Sequence, residues 1–170
     1  MKRFFNWLLA IASAATLATA CYKGASDDEF AGAIFGVWML DTKTVTIETT
    51  VGGNTNSNKT VETFSREACS LELDPGLTAL ARFGIKSYET PYSFDAESKR
   101  IDFPRGMSLS DNGKKFDLKG SYDVALNDDQ LSLTQKAFGI TIGTNTADET
   151  TVYVFHRKTE DSSGRQEKQN

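Results

Sequence analysis

Few side chains in this sequence of 170 residues could carry chemistry. There is one histidine, His156, and there are two cysteines, Cys21 and Cys69. A serine–histidine–carboxylate arrangement would need His156, which stands beside Arg157 and Lys158, and those charges disfavour a protonated imidazole. No serine lies in a Gly-x-Ser-x-Gly turn. One histidine and one further cysteine cannot form a His/Cys metal cluster within this chain.

Carboxylates are more numerous, with 23 aspartates and glutamates, but most of them stand in predicted turns. Acids in turns usually accept backbone hydrogen bonds or face water. Asp128 and Asp129 could hold calcium, although the repeated oxygen pattern of a calcium loop is missing. A glycosidase pair is not recognisable from spacing in sequence alone. We therefore expect no catalytic residue, no metal and no cofactor, and predict that the protein is not an enzyme.

The beginning of the chain has the three zones of a secretory signal peptide. Lys2 and Arg3 form a basic tip, an apolar run follows, and residues 17–20 (Leu-Ala-Thr-Ala) lead directly into Cys21. The apolar run is shorter than the roughly 20 residues that a spanning helix needs. An incidental cysteine beside the cleavage point of a soluble secreted protein is the alternative interpretation.

The segment that ends in Cys21 resembles the lipobox of bacterial lipoproteins. The resemblance implies that residues 1–20 are removed and that Cys21, as the first mature residue, carries the lipid. Several acyl chains anchor a soluble domain stably because each buried CH₂ contributes roughly 0.8 kcal/mol. We expect the anchored protein to lie at the outer membrane of a Gram-negative bacterium. Cys69 then has no partner for a disulfide, and we expect it to be a small buried side chain.

Residues 21–32 form the predicted lipidated N-terminus and acidic tether, with Asp27, Asp28 and Glu29 close to the anchor. This stretch is also similar to the serine-plus-acidic tethers that direct some lipoproteins to the cell surface, so the periplasmic and surface faces both stay open. Loss of Lys2 and Arg3 changes the formal net charge from −4 to −6. This acidic balance argues against nucleic acid as a partner.

The mature chain alternates between apolar and polar residues in many short segments, which predicts an all-β domain over residues 33–158. A long first strand is predicted at 35–50, a loop at 51–59, and further strands on either side of turns at 95–98, 111–113 and 127–129. Residues 136–142 are predicted to run into a loop at 144–148. Residues 159–170 lack apolar side chains and are predicted to be a disordered tail.

One short helix is predicted at 75–83. Asp74 could cap it, Pro75 fits a first helical turn, and Gly84 could end it. The apolar residues Leu77 and Leu80 have helical spacing.

About eight strands in sequence order predict an antiparallel up-and-down barrel, since closure removes exposed edges. A two-sheet β-sandwich is the alternative.

Gly36, Val37 and Trp38 at the head of the first strand resemble the Gly-x-Trp signature of lipocalins, and the last strand ends in Arg157. The wider pattern is similar to lipocalin-like lipoproteins of Gram-negative bacteria. The resemblance implies a lipocalin-like barrel in which Arg157 packs over Trp38 and bonds to the backbone of the first strand. Gly36, Trp38 and Arg157 would then have a structural role in closing the barrel.

Aromatic residues are spread over nearly every predicted strand, and in a barrel alternate ones point inward. They either fill the interior or line an apolar cavity at one mouth. The candidate cavity-lining residues are Phe83, Tyr88, Tyr92, Phe94, Phe116, Tyr122, Tyr153 and Phe155.

Two functional hypotheses follow. The first is a lipid-anchored, lipocalin-like protein that binds a small apolar or amphipathic ligand in the barrel. The second is a non-catalytic surface interaction module with a filled barrel that binds a partner protein or a glycan. A cavity distinguishes them, because a filled barrel cannot hold a ligand.

Overall fold

The computed structural model describes residues 27–65, 67–142 and 145–159. Residues 1–26, which contain the predicted signal peptide and Cys21, and the predicted tail from residue 160 onward lie outside the described residues. Within the described ranges one helix precedes ten strands. They are α1 (Asp27–Ile34), β1 (Gly36–Val51), β2 (Asn54–Thr63), β3 (Cys69–Leu73), β4 (Thr78–Phe83), β5 (Lys86–Pro91), β6 (Ser93–Asp95), β7 (Arg100–Asp111), β8 (Lys114–Asn127), β9 (Gln130–Ile142) and β10 (Asn145–Arg157).

All of these strands belong to one antiparallel sheet, as predicted. Its order is β5-β4-β3-β1-β10-β9-β8-β7-β6, and β2 pairs with β1 outside this path. The 16-residue strand β1 organises the sheet because it has different partners along one side. Residues 36–39 pair with β3, residues 42–51 pair with β2, and β10 runs along the opposite side of β1.

The sheet curls round but is not closed by a backbone ladder. Strand β5 lies beside β7 without pairing to it. A side chain crosses this seam instead, because Lys86 Nζ donates a hydrogen bond of 2.6 Å to the carbonyl oxygen of Ser110. The described part of the chain therefore has an all-β, antiparallel up-and-down fold. This fold can be described either as a barrel with an open seam or as a two-layer sandwich.

Part of the sheet extends beyond the curled body. The ladder between β8 and β9 covers Asp123 to Asn127 and ends at the pair Asp123–Thr134, whereas β9 and β10 stay paired up to Ile142 and Asn145. Residues 42–51, 54–63, 135–142 and 145–151 thus form a four-stranded extension, which we call the projecting sheet. Its edges are β2 and the second half of β9.

The core lies between the curled faces of the sheet, and buried residues alternate with less buried ones along strands such as β8. On β8 the buried residues are Phe116, Leu118, Tyr122, Val124 and Leu126, with exposed or half-buried residues between them. The largest side chains that are fully buried include Trp38, Tyr153, Phe103, Phe116 and Phe155. Burial of such side chains stabilises the fold by roughly 1.5–3 kcal/mol each.

The prediction of a helix at 75–83 is wrong, because residues 78–83 form β4. Asp74 Oδ1 accepts a hydrogen bond of 2.7 Å from Gly76 N, and Leu77 has a φ of 62°, so this segment is a turn. Ala79, Ala81 and Phe83 are buried in alternation, while β4 pairs with β3 on one side and with β5 on the other. The spacing of Leu77 and Leu80 resembled a helical face, but Leu77 is 45% exposed.

The helix lies instead at Asp27–Ile34, so residues 27–32, predicted to belong to the tether, are helical. Phe30 and Ile34 are four residues apart and both are buried in the core. Residues with this spacing lie on one helical face. Helix α1 is therefore packed against the curled sheet, and the folded body includes at least these residues before residue 33.

The predicted loop at 51–59 is also shorter than expected. A two-residue turn at Gly52 and Gly53, with φ values of 58° and 82°, joins β1 directly to β2. Positive φ at both positions matches the twist of a β-hairpin, and glycine permits it without strain. The asparagine-rich run that suggested a loop pairs in register with β1 from Asn54 onward. Similarly, β10 already begins at Asn145, within the predicted loop at 144–148.

Candidate functional site

One end of the sheet is covered by a cluster around Trp38. The guanidinium carbon of Arg157 lies 4.2 Å from the centroid of the Trp38 ring, and Trp38 Nε1 donates a hydrogen bond of 2.7 Å to the Ile34 carbonyl. Arg157 also donates to the carbonyl of Phe35 at 2.9 Å and to that of Ala33. The cluster therefore fastens the C-terminal end of α1 to β1 and β10.

Gly36 belongs to the same cluster. Its φ is 128°, and a Cβ at this position would lie 3.0 Å from Arg157 Nη1. A side chain here would be strained by the backbone and would crowd the guanidinium. The structure thus brings together Gly36, Trp38 and Arg157, the three residues that the resemblance to lipocalins assigned to barrel closure.

Five of the eight candidate cavity-lining aromatic residues belong to one group of packed rings. Phe116 lies edge-on to Tyr153 and to Phe155, with centroid distances of 5.9 and 6.3 Å, and Tyr122 lies edge-on to Tyr153 at 6.2 Å. Tyr92 packs at 6.2 Å against Phe103, which continues this group. These rings pack against one another in the buried core.

The other three candidates lie elsewhere. Phe83 packs on Phe64 at 5.7 Å, and Phe94 stacks on Phe30 of α1 at 5.9 Å. Tyr88 is 44% exposed and lines a surface groove. The eight residues are therefore distributed over the core, its margins and the surface.

The buried tyrosine hydroxyls bond to the backbone. Tyr153 donates to the carbonyl of Asp117, Tyr92 donates to that of Asp74 at 2.8 Å, and Tyr122 accepts from Lys119 N at 3.1 Å. Burial raises the pKa of Tyr92 and of Tyr122 to about 12, and the Asp74 charge adds to the shift at Tyr92. Each of these hydroxyls thus has a backbone partner within the fold.

Two neighbouring surface cavities, of about 430 and 330 Å³, lie along the seam between β5 and the β7–β8 hairpin. Both contain Ser108 and Lys115. They are lined mainly by polar and charged side chains, in contrast to the apolar cavity that the aromatic pattern suggested. These cavities could not be predicted from the sequence, because an open seam depends on where strand pairing stops.

The two side chains considered for catalysis occupy ordinary structural environments. His156 Nδ1 lies 2.7 Å from Asp41 Oδ1, at the point where the pairing of β1 and β10 shifts register. Cys69 is 1% exposed, and burial raises the pKa of its thiol to about 12, which disfavours the nucleophilic thiolate. The burial of Cys69 agrees with the interpretation of this residue as a small core side chain.

Among the turn acids, Asp95 has the hydrogen bonds that the sequence analysis expected. Its carboxylate accepts from the Ser98 hydroxyl at 2.6 Å and from the backbone nitrogens of Ser98 and Glu97. These bonds, led by the Ser98 hydroxyl, lower the pKa of Asp95. The part of the chain that the structure describes contains no group of three or more histidine, cysteine or acidic residues placed to hold a metal ion.

No helix within residues 27–65, 67–142 and 145–159 is long and apolar enough to cross a membrane. Comparison with known proteins identifies no relative of this chain. No protein family, no curated protein and no solved structure matches this chain.

Proposed function

We propose that this protein is a lipid-anchored, non-catalytic interaction module that binds a partner protein through its projecting sheet. Cys21 would carry the anchor and hold the domain at the outer membrane of a Gram-negative bacterium. The observation that carries the proposal is the concentration of exposed apolar side chains on the projecting sheet, beside strand edges that lack a partner.

Seven large apolar side chains are exposed in the described ranges, and four of them belong to the projecting sheet. These four are Val51, Val61, Phe138 and Ile142. Phe138 is the most exposed of these four side chains, at 74%. By strand register Val51 and Ile142 lie on one face of the projecting sheet and Val61 lies on the other. Exposed apolar side chains beside an unpaired strand edge are typical of sites that bind another protein.

The edges of the projecting sheet support the same proposal. The outer side of β2 pairs with no described strand. Residues 135–142 of β9 pair with β10 on one side and with no described strand on the other. Unpaired edge strands offer backbone donors and acceptors to an extended segment of another chain. The β9 edge has Lys136 as its single charge, whereas β2 is mostly polar. We therefore place the principal contact at β9.

The position of the predicted anchor is compatible with this arrangement. Five residues, 22–26, separate Cys21 from the start of α1, a reach of at most about 20 Å. Helix α1 packs at the Trp38 end of β1, whereas the projecting sheet contains the other end of that strand. A domain anchored through Cys21 would thus hold its projecting sheet away from the membrane.

The packed interior favours a surface interaction over a ligand held inside the sheet. The aromatic rings contact one another, and the hydroxyls of the buried tyrosines bond to the backbone. A small apolar ligand inside the barrel remains the competing hypothesis, and the same experiment decides between the two.

The test uses the full chain, produced in its host with a photo-crosslinking residue at Thr141 in the projecting sheet, or at Asp128 in the opposite turn as a control. We expect a discrete protein adduct from position 141, its loss in the Phe138→Asp variant, and its retention in Val61→Asp on the β2 edge. Native mass spectrometry of the purified protein should show no small molecule. A stoichiometric small molecule together with no adduct at 141 would instead support a carrier function.

A further inference from the structure

The smaller of the two seam cavities combines several cations with an exposed aromatic ring. We call it the seam groove, and its volume is about 330 Å³. The side chains relevant to binding are Tyr88 from β5, Arg105 and Met107 from β7, and Lys115, Asp117 and Lys119 from β8.

The charges in the seam groove are not balanced. Its single carboxylate, Asp117, is already paired, because Lys43 Nζ lies 2.8 Å from Oδ1 and Lys115 Nζ lies 3.7 Å from Oδ2. Arg105 and Lys119 have no ion pair with any other described residue. The groove is thus positive on a chain whose formal net charge is −4. A local excess of one sign attracts ligands of the opposite sign.

A backbone irregularity places Arg105 in this groove. The register of β7 and β8 passes from Phe103–Gly120 to Met107–Leu118, so three β7 residues oppose the single residue Lys119. Gly106 makes this bulge possible, because its φ is 68° and a Cβ would lie 3.1 Å from the Leu118 carbonyl oxygen. Bulges frequently redirect a side chain next to a binding site.

The spacing of the cations favours an extended anion over a single ion. Lys115 and Lys119 lie four residues apart on one strand, which separates their Cα atoms by about 13 Å. Lys86 and Lys114 line the adjoining cavity, which shares Lys115 with the groove and contains one carboxylate, Asp111. A chain of repeating negative groups fits this line of charges better than one compact ion does.

The exposed ring of Tyr88 narrows the chemical class of the ligand. An aromatic face packs against the apolar C–H face of a sugar ring, while its hydroxyl stays in contact with water. We propose that the seam groove binds an acidic oligosaccharide, carboxylated or sulfated, whose anionic groups pair with Arg105 and Lys119 while one sugar ring packs on Tyr88. This site is separate from the projecting sheet and does not depend on it.

The test is calorimetric titration of the full chain in neutral detergent with four probes: a hexauronate, a sulfated hexasaccharide, the desulfated form of the latter, and inorganic sulfate. We expect at least one acidic hexasaccharide to bind, with an affinity that falls as salt rises. The Arg105→Gln/Lys119→Gln variant should bind it at least about tenfold more weakly, since two charge-assisted contacts are removed. Tyr88→Ala should weaken the binding of the acidic hexasaccharide and leave any binding of sulfate unchanged.

The matched control is Lys59→Gln/Lys136→Gln, which removes two exposed cations from the projecting sheet and should leave affinity unchanged. The proposal fails if neither acidic hexasaccharide binds, or if the two double variants lose affinity equally. It also fails if inorganic sulfate binds as tightly as the hexasaccharides, or if Tyr88→Ala has no effect, because the groove would then be a simple anion site. None of these outcomes bears on crosslinking at Thr141.

Discussion

Lys43 Nζ lies 2.8 Å from Asp117 Oδ1 and links β1 to β8, two strands that share no backbone ladder. Lys43 also lies over the ring of Tyr153, 5.4 Å from its centroid, and its side chain is 14% exposed. Its partner Asp117 is 39% exposed. The ion pair thus joins the base of the projecting sheet to the β7–β8 hairpin.

Replacement of this lysine should loosen that junction. We expect Lys43→Met to lower the free energy of unfolding by about 1 kcal/mol, a modest loss because water screens the half-exposed Asp117. Urea denaturation measures it. Lys115→Met removes the longer and more exposed contact to the same carboxylate and should change stability by less than about 0.5 kcal/mol. Equal losses in the two variants would contradict a specific role for Lys43.

Trp38 should be among the most costly residues to truncate. It is fully buried, donates to the Ile34 carbonyl and lies under Arg157, so Trp38→Ala leaves a cavity and an uncovered guanidinium. We expect a loss of about 3–5 kcal/mol in the free energy of unfolding, measured by chemical denaturation. Tyr88→Ala, at an exposed aromatic, should cost less than about 1 kcal/mol. A loss below about 1 kcal/mol for Trp38→Ala would contradict its placement in the core.

Two glycines close together in sequence should respond to alanine in opposite directions. Gly36→Ala forces a β-carbon onto a residue with a φ of 128° and to within 3.0 Å of Arg157 Nη1, so we expect a loss of about 1–3 kcal/mol. At Gly32, in α1, a β-carbon meets nothing within 4 Å. Gly32→Ala should therefore gain up to about 1 kcal/mol through helix propensity. Thermal denaturation of both variants distinguishes these effects, and two changes of the same sign would refute the argument.

Most strands could be predicted from the sequence because the alternation of apolar and polar residues shows directly which face of a strand is buried. Phe116, Leu118 and Tyr122 alternate with polar residues, and the turns at 95–98 and 111–113 carry residues that favour turns. These signals are local. For the same reason alternation also allows β4 to be recognised, once Leu77 is assigned to the preceding turn.

Features that depend on distant pairing could not be predicted in this way. The seam groove exists because β5 and β7 meet without a ladder, and Arg105 enters it through a bulge whose register is set by β8. Helix α1 did leave a local signal, with acidic residues in its first turn and Phe30 four residues before Ile34. The acidic residues of that stretch favour a solvated tether, whereas the spacing of Phe30 and Ile34 indicates a buried helical face.

The final prediction concerns alkaline pH. Burial raises the pKa of Cys69 from 9.0 to about 12 and that of Tyr122 from 10.0 to about 12, and it shifts the pKa of Tyr153 in the same direction. The folded chain therefore holds these protons more tightly than the unfolded chain does. Their contribution to stability is complete below about pH 9, where the unfolded groups are still protonated, and is lost as pH rises towards 12.

We expect urea midpoints to be level from neutral pH to about pH 9 and to fall above it. The fall should be shallower in Cys69→Ala, which removes one of the titrating groups, than in the wild type. Tyrosinate absorbance recorded during the same titration, less that of a Tyr122→Phe/Tyr153→Phe variant, should rise together with unfolding, since Tyr122 and Tyr153 ionise when they become exposed. Tyrosinate absorbance from these residues that rises while the fold is still intact would show that their hydroxyls are accessible to water and would contradict the packed interior.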